Sequence, residues 1–516
     1  MNEPLVLTFD IGTQSARGLL VTKKGEFIDK EQVRYNHPYF SKKPGWAEQK
    51  HDYYFDKICE ISKILLERNK DKLSDISAVT ITTIRDTVLC LDKDNKPLRD
   101  IILWLDNRKA SYDNHISIAK KALFHSVGMG ESIKILYKAT AANWICQNQP
   151  EIWAKTKKYI MLSTYMNFLL TGEMKDCAAN MIGHIPFDYR KKKWLGKHDL
   201  TRCICDIPEE KLCELISTGE IIGRITEKAS ILTGIPMGIP LIATGSDKGC
   251  ETLGLSVIKN NQAAISFGTT ATIQMAVNEY FEPQPFMPAY PAVPNDMYNP
   301  EIEIYRGFWL VTWFIKEFAG EDKAEAREKG CSAEKLLDEK IKSIMPGSDG
   351  LVLQPFWTPG ITNPNALGAV VGFSDFHTRY HLYRAIIEGI CFELFQSMLT
   401  MQKRSGIEIK EIFVGGGGAK SDIVCQITAD IFGLPVKRTQ TYESCSIGSA
   451  MVAFVAQGIY SDYEEAIKNM VVEKDVFYPD SKNHNHYMLL YRKVYSKIYP
   501  RIKRIDKNIM KIYKRR

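Results

Sequence analysis

The chain has 516 residues, 45% hydrophobic and 25% charged, with a mean hydropathy of −0.21. At roughly 150 residues per domain this is a globular protein of two large or three ordinary domains, and the composition excludes wholesale disorder, a collagen-like repeat and a coiled-coil rod. The formal charge of +7 is concentrated at the end, where Tyr487 to Arg516 carries 11 Lys and Arg against one Asp, so the body of the chain carries little net charge and neither nucleic acid nor membrane is expected as a partner. No run reaches the roughly 18 to 20 uncharged apolar residues of a membrane span. The opening, Met1 to Asp10, lacks the basic and apolar regions of a secretory signal, so a cytoplasmic location is expected. Twelve cysteines in such a chain are read as reduced thiols; Cys203, Cys205 and Cys213, with His198 nearby, lack the paired spacing of a zinc site.

In chain order, Leu5 to Phe9 reads as a short buried strand with Leu19 to Val21 as its hairpin partner. Tyr53 to Leu66 has helical spacing and Ala78 to Ile84 is a second buried strand, so the first third alternates in an α/β manner. Ser126 to Trp194 is richer in helical pattern and aromatics and is expected to cap this core. Ala263 to Phe267 repeats the layout of the N-terminus: a strand runs into a Gly-Thr turn, Gly268-Thr269-Thr270, and folds back through Ile273 to Val277. His381 to Met401 reads as a central helix, and Glu411 to Val414 as the strand that leads into four glycines. The domains are set at 1–254 and 255–486, followed by a basic helical tail, 487–516. In that tail Tyr487, Tyr491, Tyr495 and Tyr499 recur every fourth residue, as a packed helical face would, and Pro500 is expected to end or kink the helix.

Six segments carry the chemistry. Asp10, at a strand end, is a carboxylate able to hold a hydrated Mg²⁺, while Gly12 permits a turn whose N–H groups, with the hydroxyls of Thr13 and Ser15, face phosphate oxygens; the segment runs on to Arg17. The plainer alternative is a hairpin turn with a solvated Asp. Neither a P-loop nor a Gly-x-Gly-x-x-Gly motif occurs in the chain. Gly268-Thr269 is the counterpart of the first turn. Gly415 to Gly418 with Ala419 is a backbone that adenine or ribose can approach closely, particularly at Gly417 and Gly418, with Asp422 opening the helix that follows. Asp247, just beyond the apolar run Ile239 to Ala243, can accept the proton of a hydroxyl attacking a γ-phosphate, with Lys248 favouring its ionised form. Arg85-Asp86 and Trp104 offer the paired donors and acceptors and the aromatic plane that a polyhydroxyl compound needs; Gly45-Trp46-Ala47-Glu48-Gln49 is similar in kind. Each of these also has a structural reading as a turn, an ion pair or a core ring.

Taken in order, these segments together with Leu170-Thr171-Gly172-Glu173 and Arg384-Ala385-Ile386-Ile387-Glu388-Gly389 resemble the FGGY family of carbohydrate kinases over nearly the whole chain. The resemblance implies an α/β protein of two actin-like, ribonuclease-H-like ATPase domains with the active site in the cleft between them, using ATP and Mg²⁺ to phosphorylate a sugar or polyol. It implies Asp247 as the base, Asp10 near the metal, Thr13 and Gly268-Thr269 at the phosphates, Gly418-Ala419 and Asp422 at the adenosine, and Arg85, Asp86 and Trp104 at the acceptor, beside Lys248. Two positions depart from the family pattern: where glycerol kinases usually carry Arg-Glu this chain has Arg85-Asp86, and where they carry Gln after the base it has Lys248. Tyr137 falls one position out of register against Trp144 as the counterpart of a pocket tyrosine. A larger polyol or ketose is therefore expected, with an acidic sugar left open by Lys248, and a homodimer is compatible with the sequence. The competing reading is an actin-like nucleotide switch acting on a protein partner, which needs no paired sugar-binding groups; a catalytically silent relative is disfavoured because no polar position of the phosphate or base motifs is lost.

Overall fold

Leu5–Ile11 (β1) is buried along its whole length and apolar except at Thr8 and Asp10, as suits a strand covered on both faces. In the computed structural model, which describes residues 3–112, 116–126, 128–360 and 363–513, β1 folds back into Ser15–Thr22 (β2) and Phe27–Arg34 (β3). Met1, Asn2 and the basic Lys514 to Arg516 lie outside the described residues. The hairpin partner is longer than the apolar stretch Leu19 to Val21, because pairing continues back to Ile11 with Ala16 around a three-residue turn. On the other side of β1 lies Ile76–Thr83 (β4), in parallel, reached through the helix Tyr53–Arg68 (α1), which buries Tyr54, Ile58, Ile61 and Leu65 at helical spacing. Ile221–Arg224 (β5) and Pro240–Ile242 (β6) complete the sheet in the order β5-β6-β4-β1-β2-β3, with β6 parallel to β4. The helix Asp247–Gly254 (α2) follows β6.

The second sheet repeats this plan. Gln262–Phe267 (β7), Ala271–Met275 (β8) and Glu301–Ile304 (β9) run antiparallel; then Trp309–Phe318 (α3) and the 27-residue helix Arg379–Ser405 (α4) lead to Glu411–Gly415 (β10), parallel to β7. Asp422–Phe432 (α5) connects to Val436–Thr439 (β11), parallel again, and after Ser444–Ala456 (α6) comes the antiparallel edge strand Glu473–Phe477 (β12). The order β9-β8-β7-β10-β11-β12 matches the first sheet position for position. Only the edge differs: β5 precedes β6 in the chain, whereas β12 follows β11.

The chain forms two compact units, and neither is a continuous stretch. The first comprises the chain up to Gly254, Tyr290–Tyr298 and Ser444–Val471; the second comprises Leu255–Ala289, Asn299–Glu443 and the chain from Val472 onward. The return of α6 to the first unit rests on a close crossing with α2. A Cβ on Gly448 of α6 would lie 1.9 Å from the carbonyl oxygen of Cys250, and one on Gly254 of α2 would lie 1.9 Å from that of Ser444.

In the second unit the basic C-terminal stretch packs on α4 through Ser481–Leu490 (α7), a π-turn over Tyr491–Tyr495 and Ser496–Ile512 (α8). Three tyrosines of the stripe are buried and their hydroxyls donate to α4: Tyr487 to Glu388 (2.7 Å), Tyr495 to Glu393 (2.7 Å) and Tyr491 to Gln396; Tyr499 is half-buried. Glu388 also takes Arg384 Nε at 2.7 Å, so the Arg384 to Gly389 motif is a buried brace. Pro500 lies inside α8 instead of ending it; the π-turn just before it already interrupts the i→i−4 ladder. Tyr495→Phe should lower stability by about 1 kcal/mol, the net worth of one buried hydrogen bond, without altering turnover; a denaturant midpoint and an activity assay on the same sample check it. Among the described residues no helix is long and apolar enough to cross a membrane, and all twelve cysteines are free.

Candidate active site

The parallel strands β1, β4 and β6 lie side by side in one sheet, and each delivers a candidate residue just beyond its C-terminal end: Thr13, Arg85-Asp86 and Asp247. In an open α/β sheet this is the edge where loops gather ligand-binding groups.

Asp247 opens α2, which is capped by the Ser246 hydroxyl accepting from Gly249 N–H at 3.2 Å. Its Oδ1 accepts the Lys248 N–H at 2.8 Å and faces Arg85 Nε at 3.8 Å, while Oδ2 has no partner among the described residues. Burial pushes this carboxyl up to about 6; Arg85 and Lys248 oppose the shift and Asp10 adds to it. The sequence argument that Lys248 favours the ionised form holds in sign, but desolvation outweighs it. Lys248 itself turns to Glu251, 2.7 Å away.

Asp10 is buried. Its Oδ1 accepts from Thr82 at 3.0 Å and from the Cys445 thiol at 3.6 Å, and its Oδ2 faces Arg17 at 3.3 Å, its direct cross-strand neighbour. Arg17 thus balances Asp10. Gly12 N–H closes the turn on Ser15 O at 3.0 Å, whereas the Ser15 hydroxyl accepts from Gln32 on β3. Thr13 Oγ1 accepts from the indole N–H of Trp104 at 3.1 Å, which joins a candidate phosphate group to a candidate acceptor group. Among the described residues no three His, Cys, Asp or Glu side chains gather as a metal site. The donor set fits Mg²⁺ of the kind that keeps its waters and arrives on phosphates, needing one carboxylate such as Asp10.

Sequence reasoning missed three residues here. Arg85 lies over the ring of Tyr290, 5.5 Å from its centre, and Tyr290 packs edge-on against Tyr189 at 5.6 Å. Tyr189 hydroxyl in turn exchanges hydrogen bonds with Gly183, next to His184, whose Nδ1 sits 2.7 Å from Asp86. In the Gly45 to Gln49 segment, Trp46 stacks on Arg108, which pairs with Glu48 and Asp106 between Trp46 and Trp144. Tyr137 lies against Tyr112, and Gly172 of the Leu170 to Glu173 motif is a left-handed helix cap (φ 81°).

In the second unit β7 and β10 deliver the other two candidate loops. Phe308 N–H donates to Gly268 O at 3.0 Å, and its ring fills the place a Cβ would take on Gly418. Gly416 needs its glycine twice over, with φ 78° and a Cβ that would meet the Phe267 backbone at 2.9 Å. Gly417 alone of these three is exposed with open space around it. Thr269 is exposed as well. Arg438, unremarked in the sequence, ties Asp422 (2.8 Å), Asp475 and the carbonyl of Ala419 (3.0 Å) into one anchor for the loop.

The N-terminal domain of the FGGY family of carbohydrate kinases matches residues 5–254, and the C-terminal domain of the same family matches residues 263–457. The chain is 27% identical over 492 residues to an uncharacterised sugar kinase of Escherichia coli, covering 94% of this chain and 92% of that protein. It is 25% identical over 514 residues to the xylulose kinase of Lactococcus lactis, covering 98% of each. Its fold matches the ligand-bound xylulose kinase structure of Lactobacillus acidophilus with a TM-score of 0.82 at 22% identity, over 97% of this chain and 98% of the other. Two sheets of one topology, two Gly-Thr turns at equivalent strand ends and family matches over both halves lead to one conclusion: the chain belongs to the FGGY family of carbohydrate kinases, enzymes that phosphorylate sugars with ATP, and has the actin-like ATPase fold.

Proposed function

We propose that Asp247 is the general base of this kinase and that the acceptor lies among Asp247, Arg85, Tyr290 and Trp104. The observation that carries the reading is the state of Asp247: one oxygen is held by Lys248 N–H and faces Arg85, the other has no partner among the described residues, and the carboxyl titrates at about 6. A base of that pKa is ionised at neutral pH yet still takes a proton readily. The acceptor hydroxyl gives its proton to Asp247 Oδ2 while its oxygen attacks the γ-phosphorus of ATP; the bond to the bridging oxygen breaks and ADP leaves. Thr13 faces the phosphates, its Oγ1 oriented by the Trp104 indole, which can only donate. Gly268, Thr269 and the exposed Gly417 serve the nucleotide, with Ala419 and Asp422 held by Arg438. Asp10 would hold Mg²⁺, which would supply charge neutralisation at the phosphates. Free cysteines and a need for ATP favour the cytoplasm. The nucleotide-switch reading is set aside, since the family is one of sugar kinases and Arg85, itself over the ring of Tyr290, faces the base.

ADP release from Mg·ATP against a panel of polyols, ketoses, aldoses and sugar acids, with Asp247→Ala as the blank, tests the reading. One strong acceptor, lost in the blank, is expected; hydrolysis indifferent to every sugar would overturn it. Arg85→Ala should raise the acceptor KM and also move the acid limb of the kcat/KM profile to higher pH, because a charge that lowers the Asp247 pKa is gone. A limb that stays in place would show that Arg85 does not act on Asp247.

A further inference from the structure

We propose that His184 binds an uncharged acceptor through Nε2, and that Asp86 acts as its positioning residue instead of touching the acceptor; this rests on the kinase reading above. Both oxygens of the Asp86 carboxylate meet His184. Its Oδ2 meets His184 Nδ1 at 2.7 Å and its Oδ1 accepts the His184 backbone N–H at 3.0 Å, while the Asp86 N–H donates to Ile182 O at 3.0 Å. The arrangement is held against strain: Asp86 has a φ of 46°, in the left-handed region that a non-glycine residue adopts at a cost, and a Cβ on Gly183 would lie 2.4 Å from Asp86 Oδ1. Backbone strain and a glycine spent on aiming one imidazole point to a ring whose direction matters.

The ring is 33% exposed, and with Nδ1 fixed on Asp86 its outer nitrogen, Nε2, has no partner among the described residues. Asp86 fixes the tautomer. A neutral ring carries its proton on Nδ1 and offers the Nε2 lone pair to a hydroxyl proton, whereas a protonated ring offers Nε2–H to a hydroxyl oxygen. Burial opposes the charge, but Asp86 outweighs it and raises the imidazole above its ordinary 6.5. Either form can hold a hydroxyl. A chain of contacts links His184 to the base, from Gly183 by Tyr189, Tyr290 and Arg85 to Asp247.

Charge pairing sets the acceptor class. Each cation here faces its own carboxylate: Arg85 faces Asp247, Lys248 faces Glu251 and His184 faces Asp86. A carboxylate on the acceptor would have to take a cation from one of these pairs and leave a partly buried anion behind, which is costly. A polyol or ketose exchanges hydroxyl hydrogen bonds without disturbing them.

The test uses the full-length enzyme, Mg·ATP and ADP release with uncharged polyols and ketoses set against aldonates. The wild type should prefer an uncharged acceptor. His184→Leu should raise its KM at least tenfold, with the ATP KM and thermal midpoint little changed, and His184→Gln, whose amide reaches the place of Nε2, should recover most of the loss. Asp86→Asn should raise the acceptor KM alone but add nothing in the His184→Leu background, as two residues acting through one contact do. An unchanged acceptor KM in folded His184→Leu, an additive double variant or an aldonate as best acceptor would each overturn the proposal while leaving the kinase reading intact. A wild type without any acceptor-dependent ADP release would overturn both; should His184→Leu fail to fold, the Gln and Asn variants carry the same comparison.

Discussion

Asp247→Asn should cut kcat by about 10³ to 10⁴, the span that general base catalysis supplies, while ATP affinity stays within a few-fold. The side chain keeps its size and loses the capacity to take a proton. In the wild type kcat/KM should rise with pH through about 6 and level off above, because the ionised form is the active one. The same substitution should stabilise the folded protein. The folded pKa lies above the ordinary value of 3.8, so ionising Asp247 costs folding free energy; the cost is absent below about pH 4 and complete above about pH 6. Asn removes it, so the thermal midpoint should rise at pH 8 and not at pH 4. A dead enzyme that melts higher only at the upper pH would mark a group kept for function at the expense of stability. Retained turnover would remove Asp247 from the role of base.

Gly448→Ala should be among the most damaging single methyl groups that can be added to this protein. The new Cβ would sit 1.9 Å from the carbonyl oxygen of Cys250, a backbone atom that no rotamer change can move aside. Overpacking of this kind costs about 1–3 kcal/mol and more where the backbone must shift. A fall in the melting temperature of roughly 5–10 °C follows for a unit of this size. Gly254→Ala strikes the reciprocal contact and should behave alike, whereas Gly320→Ala, with nothing within 4 Å, should be neutral. The crossing holds α2, and α2 carries Asp247 at its first turn, so the surviving folded fraction should also turn over more slowly. If Gly448→Ala melts like the wild type, α2 and α6 do not meet as described.

What the sequence made legible is local. The strands β1, β4, β7 and β10, the two Gly-Thr turns and α4 are read directly, since apolar continuity and helical spacing are properties of neighbouring residues. Two α/β halves of related design follow from that repeated pattern, and the actin-like domains from the family resemblance. His184, Tyr290 and Arg438 were not legible, because each matters only through a partner far along the chain: Asp86 is 98 residues from His184, and Arg438 meets Asp422 sixteen residues away across the turn of the sheet. Asp86 shows the same limit from the other side. Its position beside Arg85 marked it as an acceptor group, and nothing in the sequence showed that both of its oxygens meet His184. Gly418 was read as an approach for adenosine, and the sequence did not show that the ring of Phe308 lies where its Cβ would be.

The discontinuity of the first unit bears on how the chain emerges during synthesis. Residues up to Gly254 supply its whole sheet, but α6, against which α2 is locked, appears only once Ser444–Ala456 has been made. At about 5–20 residues per second, the intervening stretch takes roughly ten seconds or more. Throughout that wait the face of α2 around Cys250 and Gly254 has no cover, and the second unit is being built meanwhile. The two halves therefore cannot mature one after the other: a nascent chain halted after Gly254 should be a ready client for chaperones and proteases, and the same fragment made alone should gain order when a peptide spanning Ser444–Val471 is added.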